Sequence, residues 1–238
     1  MTYFNLKKLK NSIINRLIFY VPLTFLQWRH QYNNRSAIKT WLSDDPFLLH
    51  VPKTAGTSIA RSLGRVEPGH FEFSHLVKMD PSLLNRKSYY FVSRNPVDRI
   101  ISTYNYINDL HIRFGTSNLP AAYYADSVDD FVIRYLSKMD VEKHYFLRPV
   151  EVVISGAPID RVFAVCFDGL EGNLNSYMDF VGRERIALLH ENKSSLSVSR
   201  DSLSNAALKI IRDKYGCDFK IYEKARAEGF VCLSQVDF

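Results

Sequence analysis

Phe47-Leu48-Leu49-His50-Val51-Pro52-Lys53-Thr54-Ala55-Gly56-Thr57-Ser58-Ile59 is the stretch whose reading decides the fold of this chain of 238 residues. The apolar run at its start is too short for a helix and predicts a buried strand. Pro52 ends that strand, and small and hydroxylated residues lead into a helix expected from about Thr57 to Leu63. Free N–H groups at a helix start, the positive end of the helix dipole and a lysine in the same turn make a seat for an anion such as phosphate or sulfate. In the GxxxxGK[ST] loop of nucleotide triphosphatases the lysine follows the glycines, and the next hydroxyl holds magnesium. Here Lys53 comes before Gly56, so the anion cradle is of another kind.

Working outward, Ser88-Tyr89-Tyr90-Phe91-Val92-Ser93 is apolar and β-prone and predicts a second buried parallel strand. It runs into Arg94-Asn95-Pro96, and proline in a first turn predicts a helix that contains Ser102. A guanidinium at a strand end can grip a phosphate bidentately while a hydroxyl from the adjoining helix closes on another oxygen. A metal-dependent triphosphatase would place an aspartate there, so protein cations are expected to neutralise the ligand and no metal is expected. Arg99 reads as a structural ion-pair residue. Val162 to Phe167 predicts a third strand, and Leu170 to Val181 a helix with an apolar stripe. Alternating strands and helices of this kind predict an α/β fold: a single P-loop-like domain with a central, mainly parallel sheet flanked by helices on both faces. That domain is expected to span 47–238, after a basic helical segment and connector over 1–46.

Composition agrees with one domain. At 46% hydrophobic and 13% aromatic residues the chain can bury one substantial core. Cys166, Cys217 and Cys232 are odd in number and lack CxxC spacing, which argues against a disulfide framework or zinc site and predicts a reducing compartment. The net charge of +6 is uneven, because residues 1–46 hold seven Lys and Arg against two Asp. The charges form no extended stripe, so nucleic acid is not an expected partner.

In that basic segment Lys7, Lys8, Lys10 and Arg16 precede the apolar run 17–26, which Pro22 interrupts. The run is well short of the roughly twenty residues that span a bilayer. Gln27-Trp28-Arg29-His30 follows in place of a small-residue cleavage site. A helix packed on the domain is the favoured reading; a basic amphipathic helix over 4–26 on an anionic membrane surface is the alternative. The corresponding location is cytoplasmic, at the inner face of a membrane in the alternative reading.

The remaining segments carry weaker signals. Glu67-Pro68-Gly69 predicts a turn, Gly69 to Phe73 a short strand or extended loop, and Ser74-His75-Leu76 the opening of a segment that reaches Leu84. Asp109 to Ala125 reads as a polar and aromatic loop. Ser127-Val128-Asp129-Asp130 predicts a capping box that opens an amphipathic helix to about Met139. Leu203 to Tyr215 has a helical pattern that continues through Tyr222, and His190 to Ser195 is a polar loop before it.

His50-Val51-Pro52-Lys53-Thr54-Ala55-Gly56-Thr57-Ser58 resembles the 5'-phosphosulfate loop of the carbohydrate sulfotransferases, in particular the group of heparan sulfate 2-O-sulfotransferase and its bacterial relatives. The resemblance extends from about residue 47 to about 224. It implies sulfuryl transfer from 3'-phosphoadenosine 5'-phosphosulfate (PAPS) to a hydroxyl of a saccharide or glycolipid acceptor, as in polysaccharide biosynthesis. Carried over position by position, it implies that Thr54, Ala55, Gly56, Thr57 and Ser58 hold the phosphosulfate and that Lys53 stabilises charge on the departing oxygen. Arg94 and Ser102 would anchor the 3'-phosphate, and Lys193 and Ser194 would cover the nucleotide. His70, in a Gly-His-aromatic pattern, would be the base that removes the acceptor proton, with His75 as the competing candidate. The chain departs from its relatives at His144-Tyr145-Phe146-Leu147-Arg148-Pro149, where they show a polar pattern of Asn and Gln-Thr-Arg, and this leaves the acceptor open. Two other readings stand beside it: a P-loop-type small-molecule kinase, which needs a GK[ST] order and a strand-end carboxylate, and a non-catalytic nucleotide-binding protein at a membrane surface.

Overall fold

The apolar start of the deciding stretch forms β1, Phe47–Leu48, and the β-prone run after it forms β2, Tyr89–Ser93, with every side chain buried. A computed structural model describes residues 40–41, 45–67, 69–114, 125–189 and 199–238. β1 pairs with β2 in parallel, β2 with β3 (Val162–Cys166) in parallel, and β3 with β4 (Phe230–Cys232) antiparallel, giving the order β1-β2-β3-β4. The described chain is therefore α/β with a four-stranded, mostly parallel sheet.

Helices between the strands are α1 (Gly56–Ser62), α2 (Phe73–Met79), α3 (Pro96–Phe114), α4 (Val128–Asp130) and α5 (Val150–Val153). After β3 come α6 (Leu170–Phe180), α7 (Asn205–Lys214) and α8 (Gly216–Glu228). Successive side chains of a strand point to opposite faces. Tyr89 meets Phe73 of α2 at 5.1 Å between ring centroids, whereas Tyr90 meets Tyr177 of α6 at 5.3 Å. Helices thus cover both faces, as expected. Because β1, β2 and β3 run the same way, their C-terminal ends share one edge, where ligands of open α/β sheets bind.

Two apolar cores result. One surrounds the sheet, and a second is built from α3, α7 and the segment Val128 to Leu147. Between them Arg99 of α3 pairs with Asp218 of α8 at 2.8 Å, both buried, and Asp218 also accepts the Val150 N–H at 2.9 Å. Arg99 is thus the structural residue the sequence suggests. Trp41, in the expected connector, is buried in the sheet core and donates from its indole to the Val66 carbonyl.

Several local expectations are corrected. The helix after β2 does not stop near Asp109 but continues to Phe114, since no breaker precedes Gly115. The segment after Ser127 is not one amphipathic helix. Ser127 caps α4 as expected, accepting from Asp130 N–H, but the backbone then widens to a π-helix over Phe131–Tyr135 and tightens to a 3-10 turn over Leu136–Lys138. This change of pitch buries Phe131, Val132 and Leu136 together. Residues 69–72 form no strand: Gly69 has φ 80°, His70 lies in a bend, and helix begins at Phe73 after the extended Glu72. β4 was not foreseen. The three cysteines are free. Among the described residues, no helix is long and apolar enough to cross a membrane. Most of the basic N-terminal segment lies outside the described residues, as do Lys193 and Ser194.

Candidate active site

The loop between β1 and α1 is held open by unusual backbone. Lys53 and Ala55 both have positive φ, 64° and 68°, a region that costs non-glycine residues free energy and that recurs at functional sites. The Thr54 hydroxyl donates to the Val51 carbonyl at 2.9 Å, so Thr54 fastens the loop with its side chain. Gly56 then starts α1. A Cβ on Gly56 would lie 1.9 Å from Cδ2 of His50, so the buried imidazole of His50 occupies the place any other side chain would take. Thr57 and Ser58 follow in the first turn, half-buried and buried respectively.

From the end of β2, Arg94 donates to the Lys53 carbonyl at 3.0 Å and lies over the Phe167 ring at 4.5 Å, which ties together the C-terminal ends of all three parallel strands. Its Nε is buried without a hydrogen-bond partner, leaving donor capacity for a ligand oxygen. Burial pulls the Lys53 ammonium down to about 8, the nearby Arg94 cation adds to this, and Glu67 opposes it. Burial likewise lowers Arg94, with Asp98 and Asp168 opposing. Two cations set side by side and partly desolvated are an arrangement that an anion would relieve. Ser102 lies in α3, half-buried, and is not bonded to Arg94, which two groups sharing one ligand need not be.

The structure brings His70 to this loop. Its ring centroid is 4.0 Å from that of His50, and its Nδ1 is 2.9 Å from the His50 carbonyl oxygen. His50 itself is held neutral, its pKa pushed well below the usual value by burial, then by His70 and Lys53. His75 is placed differently: its Nδ1 is 3.5 Å from Glu72, which also pairs with Arg148 at 2.8 Å. It serves the start of α2.

Residues that the sequence reading gave no role complete the surroundings. The Lys53 ammonium sits 3.8 Å from the ring centroid of Tyr106. Phe146 is 5.6 Å from Tyr106, Tyr145 is 4.9 Å from Phe146, and Tyr145 returns to His70 at 5.1 Å. Burial pushes the Tyr145 phenol up to about 12, while its contact with the His70 backbone works the other way. The aromatic pair Tyr145-Phe146, where the resembled sulfotransferases carry a polar pattern, was the available signal. His50 could have been marked as a strand-end histidine, whereas nothing in the sequence points to Tyr106 or Glu67.

His50, Glu67 and His70 each bring one potential ligand atom within 4.8 Å of the others, the group among the described residues that could take a metal ion. One feature opposes a metal: the Lys53 cation lies close enough to His50 to disfavour added positive charge, although the bond from His70 Nδ1 to a carbonyl leaves Nε2 able to ligate. A cavity of about 460 Å³ lies at the opposite end of the strands, bordered by Trp41, Asp45 and Arg183, and contains none of the expected site residues. Position at the C-terminal strand edge and the paired cations give the Lys53 loop precedence. Comparison with protein-family models, curated proteins and solved structures finds no match.

Proposed function

We propose that this chain is a PAPS-dependent O-sulfotransferase on a P-loop-like domain, transferring sulfuryl to a saccharide hydroxyl. One observation carries the reading: beside the ends of the parallel strands, Arg94 bonds to the Lys53 carbonyl and crowds the Lys53 cation, while His70 bonds to the carbonyl of His50, three residues before Lys53. A carbonyl only accepts, so the Nδ1 of His70 carries the proton and Nε2 presents its lone pair.

In this reading the acceptor oxygen bonds to sulfur while the bond from sulfur to the bridging phosphate oxygen breaks. His70 Nε2 takes the acceptor proton, and Lys53 stabilises the charge that develops on the departing oxygen. The backbone of residues 54–58 with Thr57 and Ser58 holds the phosphosulfate, and Arg94 with Ser102 takes the 3'-phosphate. The partnerless Nε of Arg94 supports that assignment. Lys193 and Ser194 are proposed to cover the nucleotide.

Calorimetry with 3'-phosphoadenosine 5'-phosphate (PAP) and with ATP plus magnesium tests the donor. Tighter binding of PAP without metal is expected; tighter binding of ATP with magnesium would favour the kinase reading.

A further inference from the structure

Three half-buried rings, Tyr106, Phe146 and Tyr145, form an unbroken arc from the Lys53 ammonium at one end to the His70 imidazole at the other. The two ends are the groups assigned to the departing oxygen and to the acceptor proton, so the arc borders the place of the reacting hydroxyl. We infer that this arc is the acceptor subsite and that it takes an uncharged sugar, seated with the C–H face of its ring on Phe146. The inference rests on the sulfotransferase reading and adds the class of acceptor.

Among the described residues, charge decides against an acidic glycan. Binding a polyanion needs cations with unspent charge, yet those flanking this segment are already paired, Arg148 with Glu72 at 2.8 Å and Lys143 with Asp140 at 2.6 Å. Lys53 and Arg94 face the donor. Glu67, close to His70, adds negative charge on the acceptor side. What remains is apolar ring surface. An aromatic face carries partial negative charge and attracts the weakly positive C–H groups of a pyranose, while burying them removes apolar area from water. The edge-to-face packing of Tyr145 on Phe146, with planes at 88°, and of Tyr145 on His70, at 73°, holds the rings in place. A sugar resting there would meet a fixed wall and lose less free energy to ordering the site.

The test is single-turnover sulfate transfer from PAPS to three acceptors: a neutral glucose oligosaccharide, a hexuronic-acid-containing oligosaccharide of equal length, and a simple phenol. PAP affinity is measured in parallel by calorimetry. The neutral oligosaccharide is expected to be preferred. Phe146→Ala should raise its half-saturation concentration about tenfold, the equivalent of one partly lost apolar contact, with PAP affinity unchanged. Phe146→Leu, which keeps apolar bulk without a ring, controls for folding and should fall between the two. Preferred transfer to the acidic oligosaccharide or to the phenol overturns the inference while leaving the sulfotransferase reading intact. So does a half-saturation that ignores both substitutions. Absence of PAP binding overturns both.

Discussion

His70 donates from Nδ1 to the carbonyl oxygen of His50 at 2.9 Å, and the two rings lie 4.0 Å apart. The bond aims Nε2 of His70 away from the strand end and fixes which nitrogen is basic. His50 in turn is wedged against Gly56, so His70, the strand end and the Lys53 loop form one packed unit.

Gly56→Ala should break that unit. The added Cβ would sit 1.9 Å from Cδ2 and 2.0 Å from Nε2 of His50, and the buried ring has little room to yield. Helix propensity alone favours alanine by up to about 1 kcal/mol, but overpacking should outweigh it, for a net loss of about 1–3 kcal/mol in urea unfolding. Gly172→Ala, in α6 with nothing within 4 Å of the new Cβ, should be neutral or stabilising. Equal stability of Gly56→Ala and wild type would contradict the packing.

Lys53 predicts how donor affinity depends on pH. With the ammonium pulled from an ordinary 10.5 to about 8, the free protein loses this cation as pH rises through about 8, so PAP affinity should fall there. In Lys53→Arg the decline should disappear. Folding responds in the opposite sense: between about 8 and 10.5 the unfolded chain binds the proton more readily, so stability should rise with pH in that window and Lys53→Met should flatten it. Titrations of affinity and of urea midpoint read the two effects separately.

Much of the fold was legible because the three parallel strands are short apolar runs with clear breakers. Pro52 and Pro96 follow the first two within a few residues, while strand order, register and the early end of β1 at Leu48 came from the structure. β4 was not legible: Phe230–Cys232 is three residues long and owes its strand state to pairing with β3. The π-helical Phe131–Tyr135 was hidden because periodicity assumes one constant pitch. In the site, Lys53 and Arg94 were visible through position at loop and strand ends. The aromatic arc was not, because Tyr106, Tyr145 and His70 are brought together only by the packing of α3 and the segment before α5.

The ion pair between the two cores gives a stability prediction. Asp218→Ala strips Arg99 of its buried partner and leaves the Val150 N–H unpaired, which should cost about 3–5 kcal/mol in urea unfolding. Asp218→Asn can still accept from Val150 and should cost less. A loss below 1 kcal/mol for Asp218→Ala would show that the pair does not join the cores.

Arg94 should set the preference for a 3'-phosphate. PAP is expected to bind more tightly than adenosine 5'-phosphate, and Arg94→Ala should erase most of the difference, since a charge-assisted hydrogen bond is worth about 1.5–3 kcal/mol. Calorimetry on both nucleotides measures it. Equal affinities in the wild type would remove the 3'-phosphate assignment.

The central claim, sulfuryl transfer with His70 as base, is tested most directly by single-turnover transfer from saturating PAPS in excess EDTA. Wild type, His70→Ala and His75→Ala are compared, with melting temperatures recorded. The account predicts transfer without metal, a chemical step slowed about 100-fold or more in His70→Ala at unchanged PAP affinity, and near-normal chemistry in His75→Ala. No transfer by the wild type, or a folded His75→Ala that loses the step while His70→Ala keeps it, would contradict the account.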